Sequence, residues 1–254
     1  IYLGRYSKEA MAAVQLAFPV TYLLMAIAGA LGTASTSLCS RLLGAGDERR
    51  ARNLVLHALL VVGALTILLT GLSFVFLHRA LAPAGAEPAV VEGALTYARV
   101  AFLGTFFAIF PQTANALFRG EGDTMQPFRT MALALACNVV LDPLFIFGPG
   151  PFPELGVAGA AWTTVFSFAI ASSLVLKELR NRHRKVYFER AAWRFDPPLL
   201  RDLGAVAGPA LLGNLATPVS VELINRQLTP FGTDALAAFG AVMLLLTAAI
   251  LKKQ

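Results

Sequence analysis

Asp142 stands in the apolar run Asn138-Val139-Val140-Leu141-Asp142-Pro143-Leu144-Phe145. A carboxylate in hydrocarbon costs several kcal/mol and marks a site of function by default. Asn138 precedes it by four residues, so on a helix the amide and the carboxylate share a face. Counting helical rise from Pro127, Asp142 lies 15 residues on, or about 22 Å along the axis. Thr164 belongs to a later apolar segment and sits about 10 Å from that segment's start. Tyr97 lies close to the start of a third. If both of those segments start on the side that the Asp142 segment reaches, all four residues stand at one depth. Carboxylate, amide, hydroxyl and phenol together supply enough oxygens for a bare cation or a proton relay. The structural alternative is that Asp142 merely ends its helix ahead of Pro143.

Glu222 is the second acid within an apolar tract, Ala207-Gly208-Pro209 through Leu228. It reads either as a second cation- or substrate-binding group or as a partner of Arg226, one helical turn away. His57, His78 and His183 have no ligand spacing. Cys39 and Cys137 are far apart in apolar surroundings and read as small packed side chains. Gly44-Ala45-Gly46-Asp47 and Gly120-Glu121-Gly122-Asp123 look like phosphate loops, but no strand precedes them and no Lys-Ser/Thr follows. They read instead as turns in which glycine ends one helix and aspartate caps the next.

The elements that must position these groups are membrane helices. Of 254 residues 57% are hydrophobic and 14% charged, against about 25% charged in soluble domains. A bilayer core takes about 20 apolar residues per helix. Seven segments qualify: 9–38, 52–77, 92–117, 127–147, 157–178, 203–227 and 234–251. The first ends in the small, polar run GTASTSLCS, which suits close helix packing or a water-facing wall. The sixth, with Gly, Pro, Asn and Glu, has the broken, polar character of a transport path.

The connections alternate sharply in charge. Sixteen of the 21 Lys and Arg fall on one set of loops and five on the other. The positive-inside rule then places residue 1 outside and the loop 179–201 in the cytoplasm. The net charge of +6 is thereby a topology signal, and no nucleic-acid partner is expected. The segment Lys8-Glu9-Ala10-Met11-Ala12-Ala13-Val14 matches Thr233-Asp234-Ala235-Leu236-Ala237-Ala238-Phe239 at an offset of 225. Both open an apolar helix on the outer side, six spans apart. A parallel duplication of six-helix bundles has that form. It implies a longer protein, with a helix ahead of Ile1 and about four after Gln254.

The order and spacing of several segments resemble the multidrug and toxic compound extrusion (MATE) transporters along nearly all of the chain. These segments are LGR-x-S-x-E-A-M-A-A-V, SRLLGAGD, ANALFRGEGDTMQPF, NVVLDPLFIFG, LGVAGAAWTT and FGTDALAAFG. The resemblance implies an all-α polytopic membrane protein with two six-helix lobes related by a parallel repeat. Residues 1–178 would be helices 2 to 6 of a nearly complete N-terminal lobe, 179–201 a cytoplasmic linker, and 202–254 helices 7 and 8. It implies a secondary exporter of small, cationic organic compounds that works by antiport with H+ or Na+. The expected setting is the bacterial or archaeal cytoplasmic (inner) membrane, with the bilayer as surroundings, a monomeric protein and no cofactor. The cation-coupling site of the N-terminal lobe would comprise Asp142, Asn138, Thr164 and Tyr97, with Na+ held by the first three if Na+ is the ion. An acid on the helix ahead of Ile1 would complete it. Asn115 matches a further position of that network, although it lies four residues from the cytoplasmic Arg119; the alternative is polar packing next to a bend at Pro111. An alternative is a lipid-linked saccharide flippase of the same superfamily, which needs basic residues inside its cavity. A membrane-embedded enzyme would need a nucleophile–base pair, and none is apparent. A passive channel fits the two-lobe repeat less well than a carrier.

Overall fold

The computed structural model describes residues 2–81, 86–149, 154–232 and 234–242. A short helix α1 (Tyr2–Tyr6) leads into the long α2 (Lys8–Gly44), followed by α3 (Glu48–Leu81). Then come α4 (Pro88–Leu103), α5 (Thr105–Glu121), α6 (Met125–Phe147), α7 (Gly156–Leu179) and α8 (Pro197–Leu228). Residues 234–242 are helical again. No strand occurs among the described residues. Among the described residues, five helices are long and apolar enough to cross a membrane on their own, and the pair α4–α5, taken as one span, makes a sixth. The six coincide with the first six segments expected from the sequence. The seventh, 234–251, lies outside the described residues from 243 onward.

α2 is the hub. It packs against α3, α4, α5, α7 and α8, so its buried residues run round the whole helix rather than along one stripe. Small side chains make this possible: Ala12, Ala17, Ala28 and Ala34 are fully buried. The hydroxyl of Ser7 caps its start by accepting from the Ala10 amide at 2.9 Å, which satisfies one orphan donor of the first turn. α3, α6 and α8 instead turn large apolar groups outward. Ile67 and Phe74 are each 77% exposed, and Met131 and Leu212 each 74%. In water such a surface would drive aggregation; against acyl chains it is the required solvent-facing side.

The third crossing is not one rod. α4 and α5 meet at Gly104 with a bend of 51°. A Cβ on Gly104 would collide with the Val165 side chain of α7, so glycine lets α7 press into the bend. Pro111 lies within α5, which continues past it. The break in this crossing falls at Gly104. α6 likewise runs through Pro143 to Phe147. Asp142 thus does not end its helix, and the structural alternative for it fails.

Both glycine–aspartate turns behave as punctuation. Gly46 and Gly122 adopt left-handed φ of 76° and 98°, where a side chain would be strained. Asp47 and Asp123 then accept the Arg50 and Gln126 amides at 2.9 and 3.0 Å. The repeat is visible in space as well. Gln15 and Gly240, equivalent at the offset of 225, are in contact. Lys8 pairs at 3.0 Å with Asp234, the equivalent of its neighbour Glu9. Helix starts that meet their own repeat copies are expected beside a two-fold axis.

Candidate functional site

α6 and α7 approach so closely at one level that a Cβ on Gly159 would collide with the Phe145 carbonyl. The Leu155 amide also donates to that carbonyl at 3.1 Å. One turn further into each helix, this contact brings Asp142 and Thr163 face to face. The Thr163 hydroxyl donates to the Asp142 carboxylate at 2.5 Å, and Thr163 is fully buried. Asp142 is half-buried.

The four residues grouped by depth counting divide into two sets. Thr164, adjacent to Thr163 but about 100° round the helix, donates to the Ala160 carbonyl at 3.0 Å. It lines a small cavity of about 190 Å³ together with Tyr97, Thr21 and Tyr22. Tyr97 lies within electrostatic reach of Asp142. Asn138 is half-buried on the Asp142 face of α6, and no hydrogen bond holds its side chain among the described residues. Sequence reasoning missed Thr163. The signal was present in the Thr163-Thr164 pair, but choosing between them needs the rotation of α7, which the Gly159 contact sets.

Asn115 is buried in α5, and its Oδ1 has no hydrogen-bond partner among the described residues. No hydrogen bond links it to Asp142. Glu222 pairs with Arg226 at 2.9 Å, the simpler of its two readings. Both line a groove of about 720 Å³ between α2, α3 and α8. α8 also reaches α2 through polar contacts. Asn225 donates to the Gln15 carbonyl at 3.2 Å and accepts from the Gln15 amide at 3.4 Å. Asn214 donates to the Ala26 carbonyl at 3.1 Å.

The small, polar run at the end of α2 serves both of its expected uses. Thr36 donates to the Ala116 carbonyl at 2.8 Å and Cys39 to the Leu117 carbonyl at 3.5 Å, clamping α2 on α5. Gly32, Thr33, Thr36 and Ser37 also form one wall of a cleft of about 430 Å³, with Gln112 and Arg119 of α5 on the other.

Comparison with known proteins gives this arrangement a context. The sequence model described as MatE matches residues 1–144. A FAD transporter of Shewanella oneidensis is 34% identical over 242 residues, 94% of this chain and 53% of its own length. The "Probable multidrug resistance protein YoeA" of Bacillus subtilis is 30% identical over 245 residues, again 94% and 53%. A solved structure described as the inward-facing conformation of a multidrug resistance MATE family transporter superimposes with a TM-score of 0.90. It is 30% identical and covers 96% of this chain and 55% of its own. The chain thus spans about half the length of the curated relatives it matches. With half of the chain under the family's sequence model, and six apolar crossings arranged as in a solved family member, this multi-pass membrane protein belongs to the MatE family.

Proposed function

We propose that the protein exports small organic compounds by alternating access, driven by inward movement of H+ or Na+ through a site at Asp142. The observation that carries this reading is a half-buried carboxylate inside an apolar helix, held by a single side-chain hydrogen bond, from Thr163, among the described residues. A carboxylate so sparsely solvated gains from binding a proton or a bare cation. For Na+, Asp142 and the Thr163 hydroxyl supply oxygens, with the Asn138 amide one turn away. Thr164 and Tyr97 line the adjoining cavity and serve as its polar wall.

Ion binding can shift the balance between outward- and inward-open states only by its difference in affinity between them. Asp142 sits where α6 and α7 touch, so occupancy can act on their packing. The lobes of this reading are residues 1–178 and the chain from 202, with 179–201 as the cytoplasmic linker and residue 1 outside. The contacts of α8 with α2, together with the likeness to an inward-facing structure, support a state closed on the outer side. One relative is named for FAD and another for multidrug resistance, so the reading covers organic cargo of either charge. The setting is a cytoplasmic membrane, and the working unit a monomer.

The test is transport by the full-length protein in vesicles with pH and Na+ gradients imposed separately. Asp142→Asn is expected to reduce gradient-driven export to background at normal protein levels. Export at the wild-type rate by that variant would overturn the assignment.

A further inference from the structure

The cleft between α2 and α5 has one ionisable side chain among its described lining residues, and it is a cation, Arg119. Gln112 lies seven residues earlier on α5, two turns away on the same face. Across the cleft, Gly32 keeps the α2 wall flat: a Cβ there would stand 4.0 Å from Arg119 Nη2.

Two donor-bearing side chains of this cleft are unspent. No hydrogen bond or ion pair holds the Arg119 guanidinium or the Gln112 amide among the described residues. The Thr33 and Thr36 hydroxyls are committed to the Gly29 and Ala116 carbonyls. The acids at the same end of α5 are also committed. Glu121 and Asp123 accept from Arg184, and Glu121 from the Lys185 amide as well. Arg119, exposed like Gln112, is thus an unpaired cation at a polar cleft, with a planar fork of donors suited to bidentate binding of phosphate or carboxylate. A helix C terminus favours a cation at this place. That effect alone leaves its N–H groups free.

We propose that this cleft is an oxyanion subsite, in which Arg119 and Gln112 hold a phosphate or carboxylate group of an anionic organic cargo. The inference rests on the export reading and names its substrate class, against the expectation of a cationic one. Once Arg119 faces the cargo path, an organic cation is repelled at that level and an organic phosphate is retained.

The test compares two flavins that share a ring and differ by one phosphate, riboflavin and riboflavin 5′-phosphate. Binding to the purified full-length protein is measured by calorimetry in nanodiscs of phosphatidylcholine. The phosphorylated flavin is expected to bind about tenfold more tightly, the effect of one charge-assisted contact. Arg119→Gln should remove that preference while leaving riboflavin binding unchanged, and Arg119→Lys should keep part of it. Gln112→Ala, a milder change, should lower the preference about threefold, within the range of one neutral hydrogen bond. Equal affinity for the two flavins in the wild type would overturn the subsite, as would a preference that survives Arg119→Gln. Repeating the measurement with phosphatidylglycerol in the disc separates a lipid headgroup from a soluble ligand. Loss of flavin phosphate binding there would give the site to lipid and overturn the cargo assignment. Binding in detergent or nanodiscs needs no ion gradient. Failure here with intact Asp142-dependent export therefore leaves the transport reading standing, and the reverse outcome removes it.

Discussion

Two polar regions of the molecule handle charge in opposite ways. Around the connection between α7 and α8, Arg50, Arg52 and Arg184 tie several acids into a paired network. Arg184 of the linker, only 14% exposed, reaches Glu178, Asp123 and Glu121 at 3.0, 2.7 and 3.5 Å and covers the Phe118 ring. Arg50 holds Asp196 at 2.9 Å, and Arg52 holds Glu48 and Glu189 at 2.9 and 3.1 Å. Asn53 exchanges two hydrogen bonds with the Arg194 backbone. The His57 Nε2 accepts the Asp196 amide, with Trp193 stacked on the ring. Within the apolar helices, by contrast, and among the described residues, Asp142 has one side-chain donor, the Asn115 Oδ1 none, and Ser35 and Ser167 have buried, unpartnered hydroxyls. A saturated network fixes geometry and leaves nothing to bind with. An undersaturated one costs stability and keeps capacity for a ligand. The linker is on this view a strap that sets where the helix ends stand, and the sparsely bonded interior is where the ion site lies.

The comparison breaks most visibly at Arg184. Replacing it by Ala leaves three carboxylates facing one another without their cation. We expect a loss of about 3 kcal/mol, at the low end for stripping the partner from a buried ion cluster. Thermal unfolding of the solubilised full-length protein measures it. Arg184→Lys keeps the charge but not the fork, and should recover part of the loss. If the melting temperature of Arg184→Ala is unchanged, these are ordinary surface pairs worth little, and the strap is not what holds the helix ends.

A smaller effect sharpens the same contrast through pH. Burial alone would raise the Asp123 carboxyl, but the Gln126 amide and Arg184 outweigh it and hold the group below the usual carboxylate range. Asp196 behaves alike: burial would raise it, and Arg50 with the Leu199 amide lowers it. Groups depressed in the folded state contribute their full stability above the ordinary carboxylate value and lose it as pH falls through the folded one. Stability carried by the strap should therefore be flat from neutral pH down to about pH 4 and decline below. In Arg184→Ala the acid decline should be shallower, because Asp123 has lost one of its anchors. A decline equally steep in the variant would show that Arg184 is not among them.

How far the sequence carried follows the same division. The apolar crossings were legible because hydrocarbon demands length and composition that no other setting does. Both aspartate-capped turns were legible because only glycine adopts their left-handed φ without strain. The break at Gly104 was not, since Pro111 is the stronger local signal and the bend depends on Val165 of a helix 60 residues away. The basic loop was read from charge alone. Its pairing with Glu121, Asp123 and Glu178 through Arg184 is a tertiary fact that no count of Lys and Arg contains. At the site, depth along each helix is arithmetic and brought Tyr97 and Thr164 to one cavity. Rotation about each axis is decided by packing, and there arithmetic stops.

That rotation makes the finest prediction, at two neighbouring threonines. Thr163→Val removes the hydroxyl that donates to Asp142 and nearly preserves volume. The carboxylate then loses its one side-chain donor, worth about 1 kcal/mol, or about fivefold in the concentration of coupling ion at half-maximal export. Thr164→Val removes a hydroxyl already bonded to its own helix at Ala160, and its effect on ion dependence should stay within about twofold. The readout is export by the full-length protein in vesicles across a series of pH and Na+ values. Thr163→Val should move the half-maximal point while leaving the rate at saturating ion near that of wild type. Loss of rate without a shift would mark Thr163 as a packing residue beside Gly159. A larger shift from Thr164→Val than from Thr163→Val would mean that α7 presents its other threonine to Asp142 when the ion is bound. The interior site would then be completed by a rotation of α7 against α6, made possible by the same sparse bonding that sets this region apart from the strap.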